Sequence, residues 1–334
     1  MDEAKPSDRL NDKLSDKLSG ACPEVIVASM RDLRPRSGKG SVCPFCKGSE
    51  QMTPPALYAL PDASDWQIRV FANLYPFFSA DPDSASYGVH EVIVETQRHD
   101  ATLESLTVKE IARVFGAIKA RMQHHKENER LKVIFAFRNQ GSLGGASLEH
   151  PHTQLVGMSW APPRIAAEHT GFLEMAEKGE CPCCLSANDP LIAAEEQSFR
   201  AFSPRVPRFP REIWLAPVRH EPSFTELKPE AIDDLASLLK KVLLGLSAIF
   251  KNAHRPEAAR SPKEPETSFQ GFDYNLVLHT EPLEDQSGTF HMHIEILPRM
   301  HAIAGFEIGS GTMVNPVAAE DAATALRETM AQRA

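Results

Sequence analysis

Pairs of cysteines and histidines are the residues of this sequence best suited to chemistry. Two CxxC pairs and two HxH pairs occur, one of each in either half of the chain: Cys43/Cys46, His150/His152, Cys181/Cys184 and His291/His293. A CxxC pair presents two thiolates to one metal ion from a single tight turn, and an imidazole can act as a metal ligand or as a nucleophile. The pattern therefore predicts metal binding together with histidine chemistry.

Each CxxC pair can be completed by two later histidines to give four ligands for zinc. The two sets are Cys43, Cys46, His99 and His150, and Cys181, Cys184, His220 and His291. Four protein ligands leave no open coordination position, so both ions are predicted to be structural. The alternative is that the pairs are incidental and the histidines are ordinary strand residues, but two matched sets in the same order favour metal sites. No role is assigned to Cys22 or Cys183, because a free cysteine usually packs as a small apolar side chain.

His152 is the predicted nucleophile. Residues two apart on a strand point to the same face, so a metal-bound His150 would hold the strand beside it. A neutral imidazole can attack phosphorus without a separate base, provided that an acceptor keeps its other nitrogen protonated. The preceding loop, NQGSLGGAS (residues 139–147), has three glycines that allow backbone N–H groups to approach a phosphate. Ser147 and Gln154 add neutral donors.

An internal repeat indicates how these residues are positioned. HEVIVETQRHD (residues 90–100) and REIWLAPVRHE (residues 211–221) align without a gap, so that Glu91 pairs with Glu212 and His99 with His220. Each copy continues into an amphipathic helix, whose apolar positions are Ile111, Val114, Phe115, Ile118 and Met122 in the first, and Ile232, Leu235, Leu239, Leu243 and Leu246 in the second. Each copy then ends in an HxH strand. This order predicts an α+β fold of two duplicated units, with antiparallel sheets and one long helix per unit.

The predicted organisation has two domains and two irregular segments. Residues 1–22 are polar without hydrophobic periodicity and are predicted to form a disordered arm. Residues 23–165 would form the catalytic unit, and residues 166–334 would form the second unit. Residues 253–270 are dense in proline and charge, which is typical of a flexible surface insertion.

Composition excludes several classes of function. The 334 residues include 36 Lys+Arg and 45 Asp+Glu, for a net charge of -9, so no broad basic field is available to bind a nucleic-acid polymer. The polar N-terminus lacks the apolar core of a secretory signal, and no apolar run approaches the roughly 20 residues of a membrane span. We therefore expect a cytoplasmic protein with no membrane partner.

Five segments together carry a resemblance to a known family: CPFC, NLYPF, HEVIVETQRH, FRNQGSLGGASLEHPHTQ and GFEIGSGTMVNP. They resemble galactose-1-phosphate uridylyltransferase and its relative ADP-glucose phosphorylase, in the histidine-triad superfamily. The composite of NxGxxxGAS and HPHxQ is highly specific, whereas HxH alone is not. The resemblance implies two tandem histidine-triad units, which agrees with the repeat.

The resemblance also implies roles for individual residues. His152 would be the nucleophile and His150 a zinc ligand, with Gln154 assisting catalysis. Phosphate, nucleotide and sugar contacts would come from Arg31, Arg34, Asn73, Asn139, Gly145, Ser147, Gln154 and Glu307. In well-known uridylyltransferases the second half binds iron through histidines matching His279, His291 and His293, which leaves iron as the alternative metal at the second site, but soft sulfur ligands favour zinc on the CxxC set here. Family members are often dimers, so a homodimer is an expected assembly.

The implied activity is that of a UDP-glucose:hexose-1-phosphate uridylyltransferase in galactose and nucleotide-sugar metabolism, acting by ping-pong transfer through His152. Two departures leave the substrate open, because Leu74 follows Asn73 where an Asp is typical, and Met313 stands where a Gln is expected. The first alternative is an ADP-glucose phosphorylase, in which inorganic phosphate is the acceptor. Two further alternatives are a histidine-triad hydrolase and a non-catalytic, zinc-stabilised nucleotide-binding protein. The intact HPHTQ motif argues against the last, because a binding module needs no nucleophilic imidazole.

Overall fold

The computed structural model describes residues 26, 28, 31, 42–84, 86–252, 272–300 and 302–333. The predicted arm (1–22), the predicted insertion (253–270), Cys22 and Arg34 lie outside the described residues.

Ten strands of the described chain form one sheet in the order β1-β2-β3-β5-β4-β9-β10-β8-β7-β6, with every neighbouring pair antiparallel. The strands are β1 Ala56–Leu60, β2 Ile68–Ala72, β3 Gly88–Val94, β4 Val133–Gln140, β5 His152–Met158, β6 Ile192–Glu195, β7 Phe199–Phe202, β8 Ile213–Pro217, β9 Tyr274–His279 and β10 His293–Pro298. The helices are α1 Val108–Lys126, α2 Pro163–Ala176, α3 Pro229–Asn252, α4 Gly305–Ser310 and α5 Ala319–Ala331. The α+β class is therefore confirmed. None of the helices in the described ranges is both long and apolar enough to cross a membrane.

The two long helices are the predicted amphipathic ones. Helix α1 begins at a capping box, in which Thr107 accepts from the Glu110 backbone and Glu110 accepts from the Thr107 backbone. The apolar positions predicted in both helices are all buried. They pack with Ile93, Leu155 and Ile294 in the main core, so α1 and α3 cover one face of the sheet. The opposite face carries the HxH side chains.

The sheets of the two halves are continuous, where the sequence predicted one sheet per unit. The first half (β1–β5 with α1) joins the second half (β6–β10 with α3) through pairing of β4 with β9, in which Asn139 lies opposite Asn275. An isolated unit would leave β4 or β9 as an unpaired edge, and joining the edges satisfies both rows of backbone groups. Second-half residues are thereby brought next to the loop that precedes His152.

The ungapped alignment of the repeat is wrong by one residue within the strands. Gln154 lies opposite Val92, and the matching Glu295 lies opposite Trp214, so Trp214 corresponds to Val92. Glu212 therefore takes the place of His90, and not of Glu91. The spacing from strand to histidine differs between the halves, which sequence similarity alone did not show.

Helix α2 spans the predicted domain boundary at 165/166. Its Ile165 packs in a first-half cluster with Val133 and Val156, whereas its Phe172 packs in a second-half cluster with Phe290. The helix thus contacts both halves, and the division into two domains stays a prediction.

Candidate active site and metal centres

His152 begins β5 on the open face of the sheet, and its side chain is 6% exposed. Its Nδ1 lies 2.9 Å from the backbone oxygen of His150. A carbonyl can only accept, so Nδ1 carries the proton and Nε2 carries the lone pair. Phe45 contacts the ring edge-on, with centroids 5.2 Å apart. This is the arrangement that a nucleophilic neutral imidazole requires.

The first predicted metal set comes together beside it. One ligand atom from each of Cys43, Cys46, His99 and His150 lies within 4.8 Å of all the others. The sulfur of Cys46 is 3.4 Å from His99 Nδ1 and 3.6 Å from His150 Nδ1. Tetrahedral zinc with ordinary bond lengths would place sulfur and nitrogen ligands about 3.6 Å apart. The donor set and spacing therefore fit zinc.

The second predicted set also comes together, from Cys181, Cys184, His220 and His291. The sulfur of Cys184 is 3.6 Å from His220 Nδ1 and 3.5 Å from His291 Nδ1, so this set has the same dimensions as the first. It differs in exposure, because Cys184 and His220 are exposed whereas Cys46 and His99 are half-buried.

Backbone carbonyls fix the orientation of three of these histidines. Nε2 of His150 faces Thr96 O at 2.8 Å, Nε2 of His220 faces Gly288 O at 3.0 Å, and Nε2 of His291 faces Pro217 O at 3.1 Å. Each ring therefore has its proton on Nε2 and its lone pair on Nδ1, which points to the sulfurs. Burial lowers the pKa of His150 to about 4, which keeps this ring neutral and able to bind a metal ion.

A third cluster contains two of the three histidines that match the iron ligands of uridylyltransferases. Glu168 lies 2.7 Å from His279 Nδ1 and 3.1 Å from His293 Nε2. The third histidine, His291, turns instead to the cysteines. Burial alone would lower the pKa of His279, but Glu168 and Glu295 raise it to about 10, so this pocket holds a charge-balanced cluster.

The second-half counterpart of His152 is enclosed. His293 has the same Nδ1 contact, 2.9 Å from His291 O, but its side chain is fully buried. Trp214 stacks on one side at 4.2 Å and His279 on the other at 5.0 Å. Glu295, in the place of Gln154, forms an ion pair with Arg208 at 2.6 Å. Substrate has no access to this imidazole.

The glycine loop connects β4 to β5 at the end where His152 lies. A side chain at Gly141, which has φ +73°, would collide with Asp273, and one at Gly144 would collide with backbone oxygens of Gln140 and Tyr274. Asp273 accepts from the Leu143 backbone N–H at 2.7 Å. The loop is therefore fastened to the second half and cannot tolerate larger residues at these two positions.

Asn139 and Asn275 form an oriented pair of amides next to this loop. Asn275 accepts from Arg299 at 2.8 Å and donates to Asn139 Oδ1 at 2.8 Å and to Gly144 O at 2.7 Å. The amide oxygen of Asn139 is thus occupied, so its NH₂ group is the part that can donate elsewhere.

The strand that carries His152 is also stabilised by a network on the face of the sheet that the helices cover. Arg138 and Glu95 form a buried ion pair at 3.0 Å, and Thr153 donates to Glu95 at 2.7 Å. Burial opposes the charge of Arg138, but Glu95 outweighs it and raises the pKa of the guanidinium. This network fixes β5 against both of its neighbours in the sheet.

Other predicted contact residues fall into two groups. Asn73 and Arg31 lie together near Gln154, because Asn73 approaches His90 at 3.0 Å and Arg31 donates to Tyr75 O at 3.2 Å. Gly145, with φ +78°, and the half-buried Ser147 belong to the glycine loop.

Glu307 is placed differently, on helix α4 beside the exposed Phe306 and Ile308. Among the described residues, no hydrogen bond or ion pair joins its side chain to the His152 strand. The predicted sugar contact of Glu307 therefore stays a prediction.

Sequence reasoning missed four residues that the structure places around these sites: His90, Glu168, Asp273 and Asn275. His90 begins the first aligned repeat, but the misaligned register paired it with Arg211. Asp273 and Asn275 were assigned to a half with no catalytic residues. For His90 and Asn275, which lie on strands, only the correct strand register could have indicated this placement.

Comparisons with known proteins agree with this geometry. A sequence model of the galactose-1-phosphate uridyl transferase N-terminal domain matches residues 72–162. An ADP-glucose phosphorylase from Arabidopsis thaliana is 31% identical over 308 residues, covering 87% of this chain and 82% of the relative. A galactose-1-phosphate uridylyltransferase from Thermotoga maritima is 29% identical over 329 residues, covering 91% and 95%. The crystal structure of an ADP-glucose phosphorylase from Arabidopsis thaliana with bound ADP-glucose has a TM-score of 0.77 and 29% identity, covering 90% and 93%.

Proposed function

The chain belongs to the galactose-1-phosphate uridylyltransferase family and is a nucleotidyltransferase, and from this premise we propose that His152 carries the transferred nucleotide as a covalent intermediate. The observation that carries the proposal is the contact of His152 Nδ1 with the His150 carbonyl. This contact makes Nε2 the nucleophile. His152 lies on a buried strand that follows the glycine loop and also carries Gln154. The first half is the catalytic unit.

The reaction consists of two displacements at one phosphorus atom. In the first, the lone pair of His152 Nε2 attacks the α-phosphorus of a nucleotide sugar, and the bond to the bridging oxygen breaks. The sugar 1-phosphate leaves with that electron pair. In the second, a phosphate oxygen of the acceptor attacks the same phosphorus, and the N–P bond returns its electrons to Nε2. Two in-line displacements retain the configuration at phosphorus.

The protein contributes mainly positioning and hydrogen-bond donors. Charge on the phosphoryl oxygens is stabilised by the amide of Gln154, the Asn139 NH₂ group, Ser147 and backbone N–H groups of the glycine loop. We assign phosphate binding to Arg31 and Arg34, nucleotide binding to Asn73 and sugar binding to Glu307, as the sequence resemblance implies. Because the loop is fixed by Asp273 and Asn275, little reorganisation is needed when substrate binds.

The main assignment is uridylyl transfer from UDP-glucose to a hexose 1-phosphate. Adenylyl transfer from ADP-glucose to inorganic phosphate is a second candidate. It is favoured by Leu74, which directly follows Asn73, is 53% exposed, and has a side chain that cannot accept a hydrogen bond from a ribose hydroxyl. The experiment that tests the function is incubation of the pure protein with a panel of nucleotide sugars, followed by intact mass and by mapping of the modified residue. Absence of any nucleotide adduct at His152 would contradict the proposal.

We predict weak discrimination between the two nucleotides. Without a carboxylate to accept from a ribose hydroxyl, the nucleotide loses a charge-assisted hydrogen bond worth about 1.5 to 3 kcal/mol of binding free energy, which is roughly ten-fold to a hundred-fold in affinity. UDP-glucose and ADP-glucose should therefore both form the adduct. On preformed adduct, kcat/KM should be compared for galactose 1-phosphate, glucose 1-phosphate and inorganic phosphate. A preference above about a hundred-fold for one of the two nucleotide sugars would show that Leu74 matters less than we infer, and the same preference for galactose 1-phosphate would show this for Met313.

We also propose that each Cys2His2 set binds one structural zinc ion. We expect about two zinc ions per chain. An excess of a chromophoric chelator should remove them in two phases, with the second site losing its zinc faster, because Cys184 and His220 are exposed whereas Cys46 and His99 are half-buried. Cys184→Ser should remove the fast phase and leave the slow one. A single phase carrying both ions would contradict this difference between the sites.

A further inference from the structure

His90 is a buried histidine that touches Gln154 and that takes no part in the two displacements at phosphorus. It lies on β3, and its side chain is 5% exposed on the same face of the sheet as His152. Its Nε2 is 2.9 Å from Gln154 Oε1, and its Nδ1 is 3.2 Å from the backbone nitrogen of Phe77. Both ring nitrogens therefore have defined neighbours.

The Phe77 backbone decides which ring nitrogen carries the proton. A backbone N–H can only donate, so Nδ1 accepts and the proton of the neutral ring is on Nε2. Nε2–H then donates to Gln154 Oε1. Asn73 Nδ2 lies 3.0 Å from the same Nε2, but an amide nitrogen cannot accept and the Asn73 oxygen accepts from Tyr75 N at 2.9 Å, so Gln154 Oε1 is the acceptor of the Nε2 proton.

The bond from His90 determines the orientation of the Gln154 amide. With Oε1 engaged by His90, the NH₂ group points the other way and is the part that can donate. A Gln154 side chain turned by 180° would face His90 with two donors and would lose this bond. Only the orientation with the NH₂ group directed away from His90 can stabilise charge on a phosphoryl oxygen.

One face of the His90 ring packs against the predicted nucleotide-binding segment, residues 73–77. Phe77 stacks on the ring at 4.4 Å with an interplanar angle of 16°, and the guanidinium of Arg31 lies 4.0 Å from the centroid of the Phe77 ring. The Asn73 backbone N–H also donates to the His90 carbonyl at 2.8 Å. His90 is thus packed between the segment from Asn73 to Phe77 and the catalytic amide.

The second half provides an internal comparison. There, Glu212 takes the place of His90 and Glu295 takes that of Gln154, as the strand register shows. Glu212 accepts from Trp214 Nε1 at 2.8 Å. The half without an amide in the position of Gln154 also lacks the histidine that would orient it.

We propose that His90 is a positioning residue that holds the Gln154 amide with its NH₂ group directed at the transferred phosphoryl group. This inference rests on the proposed function, since it concerns the same reaction at His152.

The test is a double-mutant cycle read out in single-turnover formation of the His152 adduct from UDP-glucose and ADP-glucose. His90→Phe keeps an aromatic ring against Phe77 but removes both nitrogens. We expect the maximal rate to fall by roughly ten-fold to a hundred-fold, which approaches the effect of removing one hydrogen-bond donor to the transition state. The substrate concentration that gives half-maximal rate should change little. In a Gln154→Ala background, His90→Phe should cause no further loss.

A conservative variant separates positioning from general damage to the fold. His90→Gln places an amide NH₂ group near the position of Nε2, so it should recover most of the rate that His90→Phe loses. Multiplicative effects of His90→Phe and Gln154→Ala, or equal losses in His90→Gln and His90→Phe, would overturn the inference while leaving the proposed function intact. Failure of the unsubstituted protein to form any His152 adduct would overturn both.

Discussion

Replacement of His152 by asparagine is expected to abolish the covalent nucleotide adduct and to lower nucleotidyl transfer by at least about 10⁴-fold, because no other group can take over the nucleophilic role. An asparagine NH₂ group can still donate to the His150 carbonyl, which accepts from His152 at 2.9 Å. The strand and the first metal site should therefore remain intact. Intact mass after incubation with nucleotide sugar, together with zinc content, checks both expectations.

The second half offers a matched control for this substitution. His293 has the same 2.9 Å contact with the carbonyl two residues earlier, yet it is enclosed by Trp214 and His279. His293→Asn should form the adduct in proportion to its folded fraction. Undiminished adduct in His152→Asn, or loss of adduct in folded His293→Asn, would contradict the assignment of the nucleophile.

The metal sets and the long helices could be predicted from the sequence because their signals are local or duplicated. Thiolates separated by two intervening residues have few structural uses other than metal binding, and the repeat showed which distant histidines accompany each pair. The apolar positions of α1 and α3 follow the helical period, and all of those predicted are buried. Each of these features depends on residue type and spacing within one copy of the repeat.

Features that depend on strand register could not be predicted. A shift of one residue moves every side chain to the other face of a sheet, and the ungapped repeat alignment contained such a shift. It paired Glu91 with Glu212 and so concealed the correspondence of His90 with Glu212. The joining of β4 to β9 has no signal within either copy, and for that reason Asn275 was not recognised as a partner of Asn139.

Loss of the first zinc ion is expected to impair catalysis, whereas loss of the second should mainly reduce stability. The sulfurs of Cys46 and Cys184 occupy matching positions, each close to both histidines of its set, so Cys46→Ser and Cys184→Ser are comparable substitutions. Each should release one zinc ion and lower the melting temperature, because binding of structural zinc is coupled to folding.

The consequences differ because the two histidines proposed to bind zinc support different residues further along their strands. The His150 carbonyl fixes the tautomer of His152, and the carbonyl of its counterpart His291 fixes only the enclosed His293. In Cys46→Ser the His150 ring is released and no longer holds the start of β5. We therefore expect the rate of adduct formation per folded molecule to fall by about ten-fold to a hundred-fold, as when residues that orient metal ligands are replaced. Cys184→Ser should retain most of that rate at a temperature where it remains folded. Equal rates in the two variants, measured on samples matched for folded fraction and each shown to contain one zinc ion, would mean that the metal at the first site does not position the nucleophile.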